Sequence, residues 1–74
     1  MNNATLRHLR KRSFSLAGHR TSVALEPEFW SVLENAAAAR GIGLAALLAE
    51  IDAARITTGA PLASALRVWA LARR

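Results

Sequence analysis

The chain has no cysteine and no tyrosine, and only four glycines, two prolines, two phenylalanines and two tryptophans among its 74 residues. Without cysteine there is no disulfide, no thiolate zinc site and no thiol nucleophile. Its histidines, His8 and His19, are far apart in sequence, and no acid precedes Glu26, so they make a poor metal site. No serine has a histidine–acid pair nearby, and there is no glycine-rich loop to cradle a phosphate. The expectation is a protein that is not an enzyme and uses no metal or cofactor. Long apolar runs are missing too: nothing approaches the roughly twenty residues needed to cross a bilayer. The stretch from Phe14 to Gly18 is short for a secretory signal, and loss of the basic N-terminus as a presequence would leave a fragment too small to be convincing. A cytoplasmic, nucleoid-associated location is expected, with no membrane partner.

What the chain does have is apolar surface and a lopsided charge. Hydrophobic residues make up 53% of it. A domain this small buries only about 60% of the surface its unfolded chain exposes. With disulfides and metal excluded, oligomerisation is the remaining way to secure a core. The formal charge is +5. Arg7, Arg10, Lys11, Arg12 and Arg20 precede the first acid, whereas Arg40, Arg55, Arg67, Arg73 and Arg74 balance Glu26, Glu28, Glu34, Glu50 and Asp52. The whole excess therefore sits near the N-terminus, where it attracts nucleic acid or an anionic surface.

Residues 1–12 carry charge with little apolar pattern and read as a flexible basic arm, followed by one domain over 13–74. Thr21, Val23 and Leu25 alternate with Arg20, Ser22 and Ala24, which predicts a half-buried strand over 20–25. Phe14 and Leu16 continue the alternation upstream, with Gly18 expected to interrupt it. Pro27, between Glu26 and Glu28, opens a helix over 27–40, with Phe29, Leu33, Ala36 and Ala37 on one face. Gly41 ends it. Leu44, Leu47, Leu48 and Ile51 stripe a second helix over 44–55, and a third over 61–72 begins at Pro61 with Leu62, Ala65, Leu66 and Trp69. No internal repeat stands out.

A lone strand leaves two edges of unpaired N–H and C=O groups. Pairing it with the same strand of a second copy about a two-fold axis gives an antiparallel ribbon that buries Thr21, Val23 and Leu25 from both chains. Phe29, Leu33, Leu47, Leu48 and Ile51 would complete the dimer core. Arg20, Ser22 and Ala24 would face outward, and a polar two-stranded ribbon fits the major groove of DNA. The alternative is irregular chain on a three-helix core.

Several segments carry a resemblance. They are Lys11-Arg12-Ser13-Phe14-Ser15, Gly18-His19-Arg20-Thr21-Ser22, Phe29-Trp30, Arg40-Gly41, Ala49-Glu50-Ile51-Asp52 and Leu62-Ala63-Ser64-Ala65-Leu66-Arg67-Val68. The chain resembles the ribbon-helix-helix proteins of the Arc and methionine repressor type, and in particular the small bacterial ribbon-helix-helix domain proteins of alphaproteobacteria. The resemblance covers roughly residues 11–72. It implies a mainly α homodimer around an intermolecular ribbon, bound to double-stranded DNA as a transcriptional regulator. Base edges would be read by Arg20, Ser22 and Ala24. Ala24 departs from the usual polar residue there and offers only an apolar contact to a thymine methyl. The resemblance also implies that the second helix docks on a phosphate through backbone N–H groups at Gly43, Leu44 and Ala45. Gly43 stands where relatives carry serine or threonine. Arg10, Lys11 and Arg12 of the arm would add phosphate contacts. Two other readings compete: an antitoxin whose C-terminal helix masks a toxin, and a membrane-surface module using the arm and Phe14.

Overall fold

The computed structural model describes residues 8–73. Strand β1 (Arg10–Leu16) and strand β2 (His19–Leu25) form a hairpin, followed by helices α1 (Pro27–Ala39), α2 (Leu44–Arg55) and α3 (Leu62–Ala72). The ribbon is antiparallel and two-stranded, as expected, but both strands come from one chain. β1 pairs with β2 from Arg10↔Leu25 to Leu16↔His19. The expected basic arm is therefore corrected in part. Arg10, Lys11 and Arg12 are strand residues, while residues 1–7 lie outside the described chain.

Gly18 does not interrupt the pairing; it makes the pairing close. Ala17 and Gly18 form a two-residue loop with φ of 52° and 82°. Positive φ at both central residues matches the right-handed twist of the strands that such a loop joins. Gly18 takes this conformation without strain, whereas an L side chain there would cost about 1–2 kcal/mol.

The period of two gives the hairpin two unlike faces. Leu16, Val23 and Leu25 are buried against the helices, with Phe14 half-buried beside them. α1 starts at Pro27, whose missing N–H is no loss in a first turn. It ends where Gly41 turns left-handed at φ 69°. There the amides of Gly41 and Ile42 donate to the carbonyls of Ala38 and Ala37, each at 3.0 Å. This satisfies the helix's last carbonyls and sets α2 off at 104° to α1. The striping residues then meet: Leu33 of α1, Leu47 and Leu48 of α2 and Leu66 of α3 are fully buried with Leu25.

This placement changes the expected dimer core. Leu25, Leu33, Leu47, Leu48 and Ile51 are core residues, but their own chain covers them. β1 supplies the strand that a second copy was expected to supply, and α3 closes the far side against α1, α2 and β2. Thr21 and Phe29 are half-buried at the rim. Arg67 of α3 donates from Nε to Oε1 of Glu26 at 3.0 Å, tying the last helix to the junction of β2 and α1. A hydrogen bond from Glu26's own backbone N–H, and then the one from Arg67, hold that carboxyl below its ordinary range.

Candidate nucleic-acid interface

The hairpin's outer face is a flat double row. Lys11 stands opposite Ala24, Ser13 opposite Ser22, and Ser15 opposite Arg20. All are exposed except Ala24, which is half-buried. The three residues expected to read bases, Arg20, Ser22 and Ala24, thus lie together on one solvent face. The structure adds Ser13 and Ser15, which the sequence reading did not select. It also moves Lys11 from the arm into this row. The alternation of Phe14 and Leu16 was visible in the sequence; the missed signal was that Ala17-Gly18 turns the chain, which puts Ser13 and Ser15 on the same face.

Side chains on this face are tied to each other rather than to the core. The Ser13 and Ser22 hydroxyls are 3.0 Å apart. Arg20 Nη1 donates to Ser15 Oγ at 3.2 Å. That bond uses one of five guanidinium donors and leaves the rest for a partner.

Charge pairing separates the hairpin from most of the helical layer. Arg12–Glu34, Arg40–Glu50, Arg55–Asp52 and Arg67–Glu26 are ion pairs. Arg40 and Glu50 form two parallel hydrogen bonds at 2.8 and 3.0 Å. Those bonds lower the Glu50 pKa and raise that of Arg40. Among the described residues Arg10, Lys11, Arg20 and Arg73 enter no ion pair; the first three are on the hairpin, whereas Arg73 lies over the Trp69 ring at 4.2 Å.

Arg12 is a correction to the expected phosphate contacts. It falls on the inner side of the hairpin, where its guanidinium lies 5.1 Å from the Trp30 ring centre and 2.6 Å from Glu34 Oε2. Trp30 is buried, with its Nε1 donating to the Arg10 carbonyl at 2.8 Å. Phe14 packs on it with ring centres 5.9 Å apart. Arg12 is thus a clasp between β1 and α1.

Gly43 is the N-cap of α2, extended at φ −73° and ψ 156°. No side chain caps this helix end, and no acid lies in its first turn. Its first N–H groups have no partner within the helix, as at any helix start. Gly43 and Ala45 are exposed and Leu44 is half-buried. Among the described residues no group of three or more His, Asp or Glu could hold a metal ion. No single helix there is long and apolar enough to cross a membrane.

A two-stranded antiparallel ribbon with a polar outer face, followed by helices joined at a sharp turn, defines a small ribbon-helix-helix protein. The chain belongs to that family: the family model described as "Ribbon-helix-helix domain" matches residues 9–73. Such domains are of the DNA-binding regulator type and are not enzymes. No curated protein and no solved structure matches the chain.

Proposed function

We propose that the chain is a homodimeric, sequence-preferring transcriptional regulator that sets its hairpin into the major groove of DNA, acting at the nucleoid in the cytoplasm. One observation carries the reading: an exposed two-stranded face of hydroxyls holds Lys11 and Arg20, two cations that enter no ion pair among the described residues. The major groove is about 12 Å wide and admits a two-stranded ribbon. Arg20 would donate two hydrogen bonds to a guanine, Ser22 would bond to several bases, and Ala24 would touch a thymine methyl. Arg10 and the backbone N–H groups at Gly43, Leu44 and Ala45 would anchor on phosphates.

In this reading the second copy seats on the helical side, where apolar side chains are exposed. Val68 and Leu71 are 67% and 51% exposed there, one turn apart on α3. Between α2 and α3 lies a groove of about 570 Å³, lined by Ile51, Ala54, Ala65, Val68 and Trp69. Of the charged residues around it, Glu50 and Arg55 are both in ion pairs, so two copies can meet there without charge repulsion. The antitoxin reading would give the C-terminal helix to a toxin. That helix is instead fixed on its own chain by buried Leu66 and Ala70, which favours the regulator.

Two measurements test this reading. Sedimentation of the purified chain is expected to give a dimer, and a monomer at micromolar concentration would remove the homodimer from the proposal. If a dimer neutralises about six phosphates, the binding constant for duplex DNA should fall with salt at a log–log slope of about −5. Binding indifferent to salt, or absent, would overturn the DNA reading.

A further inference from the structure

The groove of about 570 Å³ between α2 and α3 falls in the range of roughly 300–1,000 Å³ that small-molecule sites occupy. Most of its wall is apolar: Ile51 and Ala54 of α2 line it with Ala65, Val68 and Trp69 of α3. Val68 is largely exposed and Trp69 half-buried, so this wall is reached from solvent without moving the core.

Polar groups gather where the loop from α2 to α3 turns. Arg55, Thr58 and Ser64 line that end. The Thr58 hydroxyl is spent on the backbone: it donates to the Arg55 carbonyl at 3.0 Å and accepts from the Ala60 amide at 3.3 Å. Arg55 is held but not saturated. Its Nε donates to Asp52 Oδ1 at 2.7 Å, and its Nη1 donates to the Ala60 carbonyl at 2.9 Å. These bonds fix the guanidinium and use two of its five N–H donors. The side chain is one-third exposed, so the remaining donors are within reach of a ligand. Ser64, exposed in the first turn of α3, adds a hydroxyl.

Charge around the groove selects the sign of that ligand. Glu50 also lines it, but both its oxygens are taken by the parallel bonds from Arg40. No acid follows Asp52 in the sequence, so the α3 wall carries no negative charge. Arg73, outside any ion pair among the described residues, lies 4.2 Å from the centre of the Trp69 ring. The uncommitted charge beside the groove is positive.

We infer that this groove binds a small amphipathic anion, an aromatic body carrying one carboxylate or similar group. The anionic group meets the free N–H donors of Arg55 and the Ser64 hydroxyl. The body lies along Ala54, Ala65 and Val68 toward the Trp69 ring. A guanidinium already fixed by two bonds loses little freedom when it forks onto a planar anion. No hairpin residue lines the groove, so the inference stands or falls separately from the DNA-binding reading. Val68 is shared with the surface offered above to a second copy, so binding is measured on dilute chain.

The probe is 1-anilinonaphthalene-8-sulfonate, whose emission rises in apolar surroundings, compared with N-phenyl-1-naphthylamine, the same body without the sulfonate. Titrated into the full chain, the sulfonate should bind saturably, and the neutral compound roughly tenfold more weakly, the worth of a hydrogen bond to a charged group. Arg55→Gln should erase that difference and leave the neutral compound's affinity nearly unchanged. Ala54→Trp fills the groove from an exposed position on α2 and should abolish binding of both compounds. Ala53→Trp, exposed on the same helix but outside the groove, should bind like the parent chain. Circular dichroism checks each variant; should Arg55→Gln unfold, the two compounds and the two tryptophan variants still decide the matter. Equal affinity of both compounds for the parent chain would overturn the inference. So would the absence of saturable binding, or binding that survives in Ala54→Trp.

Discussion

Replacing Arg20 by alanine is expected to weaken binding to the preferred duplex by roughly 10- to 100-fold, the worth of one bidentate arginine–guanine contact. Binding to unrelated sequence should fall much less, because that term depends on total charge and only one of several cations is removed. The fold should survive. Arg20 is exposed, and its one side-chain hydrogen bond goes to another exposed residue, Ser15. Surface changes of this kind usually stay within about 0.5 kcal/mol. Lysine in its place should restore only part of the loss, since a point charge cannot reproduce the planar fork. Fluorescence anisotropy against matched and scrambled duplexes, with a thermal melt beside it, separates these terms. Equal loss on both duplexes would mean that Arg20 meets phosphate and reads nothing.

The second large effect concerns the fold. Trp30→Ala is expected to cost about 3–5 kcal/mol, the range for deleting a buried aromatic. A chain of this length holds about 4–11 kcal/mol in total. One substitution would therefore remove much of the stability, and the hairpin would lose its support first. Trp30 fills the space under Phe14, carries the stacked guanidinium of Arg12, and donates to the backbone of Arg10. Trp30→Phe keeps most of the burial and deletes the hydrogen bond, at about 1 kcal/mol. Urea unfolding followed by circular dichroism gives both values. A midpoint unchanged in Trp30→Ala would show that α1 does not hold the hairpin in place.

The helices were legible because their signals are local. Leu44, Leu47, Leu48 and Ile51 repeat at helical spacing, Pro27 opens α1 and Gly41 closes it, and all three helices lie where the pattern put them. Strand β2 was legible from Thr21, Val23 and Leu25. β1 was not, for two physical reasons. Its loop puts alanine rather than asparagine or aspartate at the first left-handed position, so the usual hairpin dipeptide is missing. Its inward positions also include Arg12, and a cation facing a core breaks the apolar alternation. What makes Arg12 acceptable is Glu34 and the face of Trp30, distant in sequence and close only once α1 has packed. Missing β1 led directly to borrowing a strand from a second copy. Of the residues named for the core, Val23, Leu25, Leu33, Leu47, Leu48 and Ile51 are buried within the single chain, while Thr21 and Phe29 are half-buried. Of the reading face, the β2 row was visible from alternation alone; the β1 row became visible only through the strand register.

All of this depends on the outer face of the hairpin being the surface that meets DNA. Backbone amide shifts of the labelled protein, followed by NMR as a duplex is added, address that most directly. The amides of Lys11, Ser13, Ser15, Arg20 and Ser22 should move together, ahead of those in α3. Shifts concentrated on α2 and α3, with both strands of the hairpin silent, would contradict the account.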